Sequence, residues 1–265
     1  MSLVPESFPI QPGPGRSPKK GEAPVRAFFF DVYGTVCDFY QPLRRAFDAL
    51  ARDKGVACDA GALAIAWRGA YARSTFLAAG FGLPLRPLVE MHRDNLVALV
   101  ADAFPAAVTG AELDDLVATW NHLDPWPDSV AGLAALKKIA VVAPVSNGNF
   151  DDIVALSRHA GFSWDLVLGS SVARAYKPHP DIYLKSCEAL RLEPRECCMV
   201  AAHQVDLAYA AGHGMQTAFV IRRDEFGGAI KAKGSADIAA AEVDVEGEWT
   251  FVARDFVELA ALAAG

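Results

Sequence analysis

Ala27-Phe28-Phe29-Phe30, followed at once by Asp31-Val32-Tyr33-Gly34-Thr35, is the stretch on which the fold turns. Consecutive apolar residues with no polar alternation describe a strand covered on both faces, as inside a parallel sheet. The run stops at an acid, and Gly34 supplies the backbone freedom that a tight turn needs. Further apolar runs lie at residues 139–145, 166–168, 198–202 and 217–221, and the first of these ends in Ser146-Asn147-Gly148. Helical patterns over residues 151–160, 180–190 and 206–211 separate the later runs. Alternating strand and helix predicts right-handed crossovers and one parallel sheet, an α/β Rossmann-like core flanked by helices.

Residues 41–124 break the alternation. Their Ala- and Leu-rich patterns predict helices over 43–54, 62–79, 86–103 and 110–122, with no strand between them. An inserted all-helical cap domain over 41–124 is expected, with the core formed by 25–40 and 125–265; Pro125-Trp126-Pro127 marks the return. Residues 1–24 are rich in Pro and Gly, carry Lys19-Lys20 and lack the apolar centre of a signal peptide. They are expected to form a disordered or loosely draped leader.

Composition narrows the classes of function. The net charge of −7 over 265 residues argues against a nucleic-acid face and against an anionic membrane surface. No apolar run is long enough to span a membrane. Cys37, Cys58, Cys187, Cys197 and Cys198 form no CxxC pair and are odd in number, which predicts free thiols and a cytoplasmic, reducing setting. His92, His122, His159, His179 and His213 have no partner at metal-ligand spacing, and Gly212-x-Gly214 and Gly227-Gly228 match no phosphate-binding fingerprint. No cofactor is expected.

Ligands of open α/β sheets sit beyond the carboxyl ends of the strands. Asp31 ends the first strand and Ser146-Asn147 the second, the third leads into Lys177, and the fourth leads into His203 and Asp206. Two carboxylates, an ammonium and small hydrogen-bonding groups therefore converge on one edge. A carboxylate at such a place can attack carbon or phosphorus and form an ester that water opens. Lys177 would keep Asp31 ionised, and Thr35 would steady it through its hydroxyl.

Asp31-Val32-Tyr33-Gly34-Thr35, Ser146-Asn147-Gly148, Lys177-Pro178 and Asp206 together resemble, in order, the four motifs of the haloacid dehalogenase superfamily, over residues 26–260. Tyr33-Gly34-Thr35, Trp67-Arg68 and Tyr183 further resemble the L-2-haloacid dehalogenase branch. The resemblance implies that Asp31 is the nucleophile and Arg68 the halide acceptor. It implies that Ser146 and Asn147 bind the substrate carboxylate, and that water near Lys177 and Asp206 opens the ester. It also implies a metal-free site, a homodimer, and short 2-haloalkanoic acids as substrates, with haloacetates and 2-halopropionates in range; a small pocket with an extra cationic or hydrogen-bonding group would suit fluoride and makes fluoroacetate a candidate. Tyr183 reads equally as a neighbour of Lys177 and as a core tyrosine.

Position 33 separates two chemistries. Phosphatases of the superfamily place a second Asp there as general acid, whereas a tyrosine with a pKa near 10 cannot protonate a leaving alcohol at neutral pH. A halide needs no proton. Ala202 also stands where such phosphatases carry an acid for Mg²⁺. The chain departs from the dehalogenase pattern at His203, where Asn is usual, and at Val205 and Gly69. His203 could orient the water, act as general base, or line the halide pocket beside Arg68. A Mg²⁺-dependent phosphatase and a non-catalytic binding protein on the same fold are the rival readings.

Overall fold

The protein is described here by a computed structural model covering residues 8–104, 108–233, 235 and 239–265. The strand read from the sequence is β1, Ala27–Phe30, with every residue buried. After the turn that follows it, Cys37–Asp38 (β2) pairs antiparallel with Asp124–Pro125 (β3) and closes the base of the intervening segment. Val141–Pro144 (β4), Cys197–Ala201 (β5), Gln216–Val220 (β6) and Phe251–Ala253 (β7) complete a parallel five-stranded sheet in the order β4-β1-β5-β6-β7. β1 is an interior strand, with Phe30 opposite Pro144 on one side and Val200 on the other. Its side chains alternate between two cores: Phe28 and Phe30 face one, Ala27 and Phe29 the other. This is why an unbroken apolar run was required.

Helices flank the sheet: Ser129–Leu136 (α5), Phe150–Ala160 (α6), Ser170–Ala173 (α7), Pro180–Ala189 (α8), Gln204–Gly212 (α9) and Phe256–Ala264 (α10). Between β2 and β3 run Tyr40–Lys54 (α1), Ala60–Gly80 (α2), Leu88–Ala103 (α3) and Gly110–Ala118 (α4). Their ends follow local chemistry. Gly55 closes α1 in the left-handed conformation, the Asp59 side chain caps α2, and Thr109 with Glu112 forms a reciprocal capping box on α4. An aromatic cluster joins this helical segment to the sheet. Tyr33 meets Tyr71 and Trp120 edge-on, and His92 stacks on Trp120 with ring centroids 4.2 Å apart.

Two expectations are corrected. Residues 166–168 form no strand, although they run beside β4. The Leu168 N–H donates to the Pro144 carbonyl, but proline has no N–H for the next rung, and the Val142 N–H donates to the Asp165 side chain instead. The fifth strand of the sheet is β7, a three-residue element too short for its pattern to be read.

Nor is the part of the N-terminal leader that the structure describes, residues 8–24, loose. Phe8 packs on Phe76 of α2 at 4.9 Å, and the Tyr209 hydroxyl of α9 donates to the Ile10 carbonyl. Gly13 lies so close to Gly212 that an added Cβ would meet its carbonyl oxygen at 2.4 Å, and the Gly15 N–H donates to that same oxygen. The Ser17 hydroxyl bonds those of Thr217 and Thr250. Composition suggested disorder because Pro and Gly are rare in cores; here the glycines allow backbone-to-backbone contact. Residues 1–7 of that leader lie outside the described residues.

Candidate active site

The carboxyl ends of β1, β4, β5 and β6 converge on Asp31. Its Oδ1 accepts from Lys177 Nζ at 3.1 Å, and its Oδ2 accepts from Thr35 Oγ1 at 2.8 Å and lies 3.0 Å from His203 Nδ1. Burial alone would raise this carboxyl. The Lys177 cation, His203 and the Thr35 hydroxyl outweigh it and hold Asp31 well below the usual carboxylate range. Asp31 is therefore a carboxylate at any physiological pH.

Lys177 sits between two acids, donating also to Asp206 Oδ2 at 2.7 Å. Burial works against its charge, but Asp206 and Asp31 together raise it, so the ammonium persists. Asp206 Oδ1 accepts from the Tyr183 hydroxyl at 2.6 Å. Burial, joined by the Asp31 charge, pushes the Asp206 carboxyl up against the pull of Lys177. Thr35 is held in turn: its hydroxyl accepts from the Ala202 N–H and its carbonyl from Arg222 Nε. Arg222 is fixed by a bidentate pair with Asp128 at 2.6 and 3.0 Å.

Ser146 and Asn147 are buried in the loop after β4, where they serve that loop. Ser146 Oγ accepts from the Gly148 N–H, and Asn147 Oδ1 accepts from the backbone N–H of Lys177 at 2.7 Å. Asn147 thereby fixes the backbone that carries the ammonium. Burial pushes the hydroxyl of Tyr71, on α2, up to about 12. Tyr33 is 2% exposed, and burial drives its hydroxyl well above the ordinary tyrosine value, so it donates no proton at neutral pH.

Arg68 reaches in from α2. Its guanidinium lies over the Tyr71 ring at 5.1 Å and the Phe39 ring at 5.6 Å, with Nη2 at 3.4 Å from His203 Nε2. Its Nε is buried and has no hydrogen-bond partner among the described residues. Of the ten residues singled out from the sequence, Asp31, Thr35, Arg68, Asn147, Lys177, Tyr183, His203 and Asp206 are joined by hydrogen bonds, whereas Tyr33 meets the Tyr71 ring and the Ser146 hydroxyl bonds within its own loop.

Two residues were missed. Glu225, 1% exposed, sits 2.7 Å from His203 Nε2 through Oε1. It belongs to the loop after β6, and the rule that directed attention to the other strand ends points equally to this one. Its position also explains Gly34, whose φ of +91° suits glycine and where an added Cβ would meet Glu225 Oε1 at 2.1 Å. Tyr71, one helical turn from Arg68, was likewise missed, since its spacing reads as ordinary core.

A family model for haloacid dehalogenase-like hydrolases matches residues 25–214. The chain is 31% identical to an (S)-2-haloacid dehalogenase of Xanthobacter autotrophicus over 210 residues, covering 75% of this chain and 76% of the relative. Its structure is similar to that of a defluorinating L-2-haloacid dehalogenase, with a TM-score of 0.82 and 35% identity, covering 94% of this chain and 99% of the other. It is also similar to an L-2-haloacid dehalogenase from Xanthobacter autotrophicus with chloropropionic acid covalently bound, at a TM-score of 0.74 and 25% identity, covering 91% and 99%.

Proposed function

The chain belongs to the haloacid dehalogenase-like hydrolases, and on that premise we propose that it hydrolyses the carbon–halogen bond of short 2-haloalkanoic acids through an ester on Asp31. The observation that carries this reading is the pairing of an obligate carboxylate, Asp31, with a guanidinium, Arg68, whose buried Nε has no partner, in a site where position 33 holds no usable acid. Asp31 Oδ1 attacks C2 in line, and the C2–halogen electron pair leaves with the halide. Arg68, walled by Tyr71 and Phe39, receives the charge that gathers on it. Stabilising charge that develops during reaction is what lowers a barrier. Water then adds to the Asp31 carbonyl carbon and gives a proton to Asp206. The bond to Oδ1 breaks, the departing alkoxide takes the Asp206 proton, and Asp31 loses its remaining proton to solvent. The net products are a 2-hydroxy acid, halide and a proton.

In the same proposal the helical segment over residues 41–124 acts as a cap that brings Arg68 over the core. The chain assembles as a homodimer in the cytoplasm, where its five cysteines stay free. No helix among the described residues is long and apolar enough to cross a membrane. The likeness to a defluorinating enzyme places fluoroacetate among the substrates to test.

A Mg²⁺-dependent phosphatase is less well supported. Lys177 bridges Asp31 and Asp206, His203 covers the remaining Asp31 oxygen, and position 202 is an alanine, so the donor set for an octahedral oxygen-loving ion is poor. The test is halide release from fluoroacetate, chloroacetate and both 2-chloropropionate enantiomers, with and without Mg²⁺. Metal-independent release by the wild type and none by Asp31→Asn is expected. No halide from any of the four sinks the reading, and p-nitrophenyl phosphate turnover that EDTA abolishes supports the phosphatase instead.

A further inference from the structure

We infer that His203 is the oxyanion donor of the ester-opening half of this reaction, and that Glu225 is the positioning residue that keeps its ring doubly protonated; the inference rests on the dehalogenase reading above. Both ring nitrogens face carboxylate oxygens, Nδ1 toward Asp31 Oδ2 at 3.0 Å and Nε2 toward Glu225 Oε1 at 2.7 Å. A neutral imidazole has one N–H and one lone pair, so it would set a lone pair against one of these oxygens. An imidazolium donates to both. The buried Glu225 carboxylate needs such a partner, because an unpaired charge in that position is costly.

The two carboxylates nearest the ring favour its charged form, and the Arg68 guanidinium opposes it. Asp31 faces it from the end of β1, Glu225 from the loop after β6 and Arg68 from α2, while Lys177 and Asp206 stand behind Asp31. Burial by itself would lower the ring, yet Glu225 and Asp31 push it up to about 10. Two roles open to His203 from sequence are thereby closed. Without a lone pair it is no general base, and with both N–H groups committed it has none to offer a halide.

What remains is its hold on Asp31 Oδ2. That oxygen has two donors, His203 and Thr35, whereas Oδ1 has only Lys177, shared with Asp206. Oδ1 is thus the freer oxygen to attack C2, and Oδ2 becomes the ester carbonyl. When water adds to the carbonyl carbon, the C=O electron pair moves onto Oδ2, between the Thr35 hydroxyl and the His203 N–H. The two half-reactions consequently respond in opposite senses. Charge leaves Asp31 as the ester forms and returns, concentrated on Oδ2, as water adds. A cation at His203 favours only the second.

The experiment is rapid-quench kinetics with chloroacetate, reading first-turnover halide and glycolate separately, with intact-protein mass to detect the Asp31 ester. In Glu225→Gln, first-turnover halide is expected within about threefold of wild type, while ester opening slows by about 10- to 100-fold and the adduct accumulates. Its ester-opening rate should fall above about pH 7, as His203 returns toward an ordinary value, where wild type holds to near pH 10. Glu225→Asp should recover part of the rate. His203→Asn with Glu225→Gln, which leaves no unpaired charge, should accumulate the adduct without that pH dependence. Equal slowing of both half-reactions in the two variants, or a wild-type profile that breaks near pH 6.5, overturns the inference alone. Absence of halide from wild type overturns the dehalogenase reading and the oxyanion role with it.

Discussion

The two sides of the site are built on different principles. On the sheet side, Asp31, Lys177, Asp206, His203, Glu225, Thr35 and Tyr183 satisfy one another through contacts of 2.6 to 3.1 Å. Among the described residues, Arg68 Nε, both His92 nitrogens, Asn95 Nδ2, Trp120 Nε1 and Asn121 Oδ1 on the helical side are buried without a partner, against His213 Nε2 and Gln216 Oε1 in the core. Buried polar groups are normally paired, so a cluster of exceptions calls for a physical reason. The sheet side carries charges that must stay fixed through the reaction. The helical side carries aromatic walls and a guanidinium with a donor to spare, which suits a surface meant to meet an anion. Preorganised charge and uncommitted donors are thus segregated onto the two regions that enclose Asp31.

Substitutions can break or sharpen this contrast. Lys177→Met should have the largest effect on stability, a loss of about 3–5 kcal/mol in urea unfolding, because it removes the cation shared by Asp31 and Asp206. Arg68→Gln should do the reverse. Halide release is expected to fall by about 10²–10³-fold while stability moves by no more than about 0.5 kcal/mol. If Arg68→Gln unfolds the protein as readily as Lys177→Met, the contrast is wrong.

His203 and His92 should divide the pH dependence between them. His203 has a folded pKa raised to about 10 from 6.5, so its contribution to stability is complete below pH 6.5 and is lost as pH rises toward 10. His92 goes the other way. Burial, with Arg68 nearby, lowers it to about 3, so the unfolded chain takes up its proton first and stability falls as pH drops below 6.5. Each limb has a slope of at most about 1.4 kcal/mol per pH unit. Urea titrations across pH should show Glu225→Gln flattening the alkaline limb and His92→Phe the acid limb. At neutral pH, His92→Phe should also stabilise by about 1 kcal/mol, since it removes two buried nitrogens without partners and keeps the stack on Trp120. Phe8→Ala should be the mildest, costing about 0.5–1.5 kcal/mol through its lost ring contact with Phe76.

What could be read from sequence was whatever one residue or one run decides alone. The apolar run of β1 gave the buried parallel sheet, and Asp31, Lys177 and Asp206 stood out because charged residues at strand ends have few structural duties. Asn147 was legible as a residue but not in its use, because an amide two residues past a strand can face a ligand or hold a neighbouring loop, and here it holds the Lys177 backbone. His203 was visible while its protonation state was not, since that depends on Glu225, a partner in another loop. Nothing in the stretch 222–226 distinguishes the buried Glu225 from a surface acid until the β6 end is laid beside Gly34. The strand at 166–168 failed for a related reason: a ladder depends on its neighbour, and the neighbour contributes a proline.

The N-terminal strap has a practical consequence. The family model begins its match at residue 25. Yet residues 8–18 tie α2, which carries Arg68, to α9, which carries Asp206, and they cover Phe76, Tyr209 and the Gly212 backbone on the way. The span that the family model matches and the span held together by these contacts therefore have different edges. An expression clone started at residue 25 would discard a brace between the two helices that the chemistry needs in register.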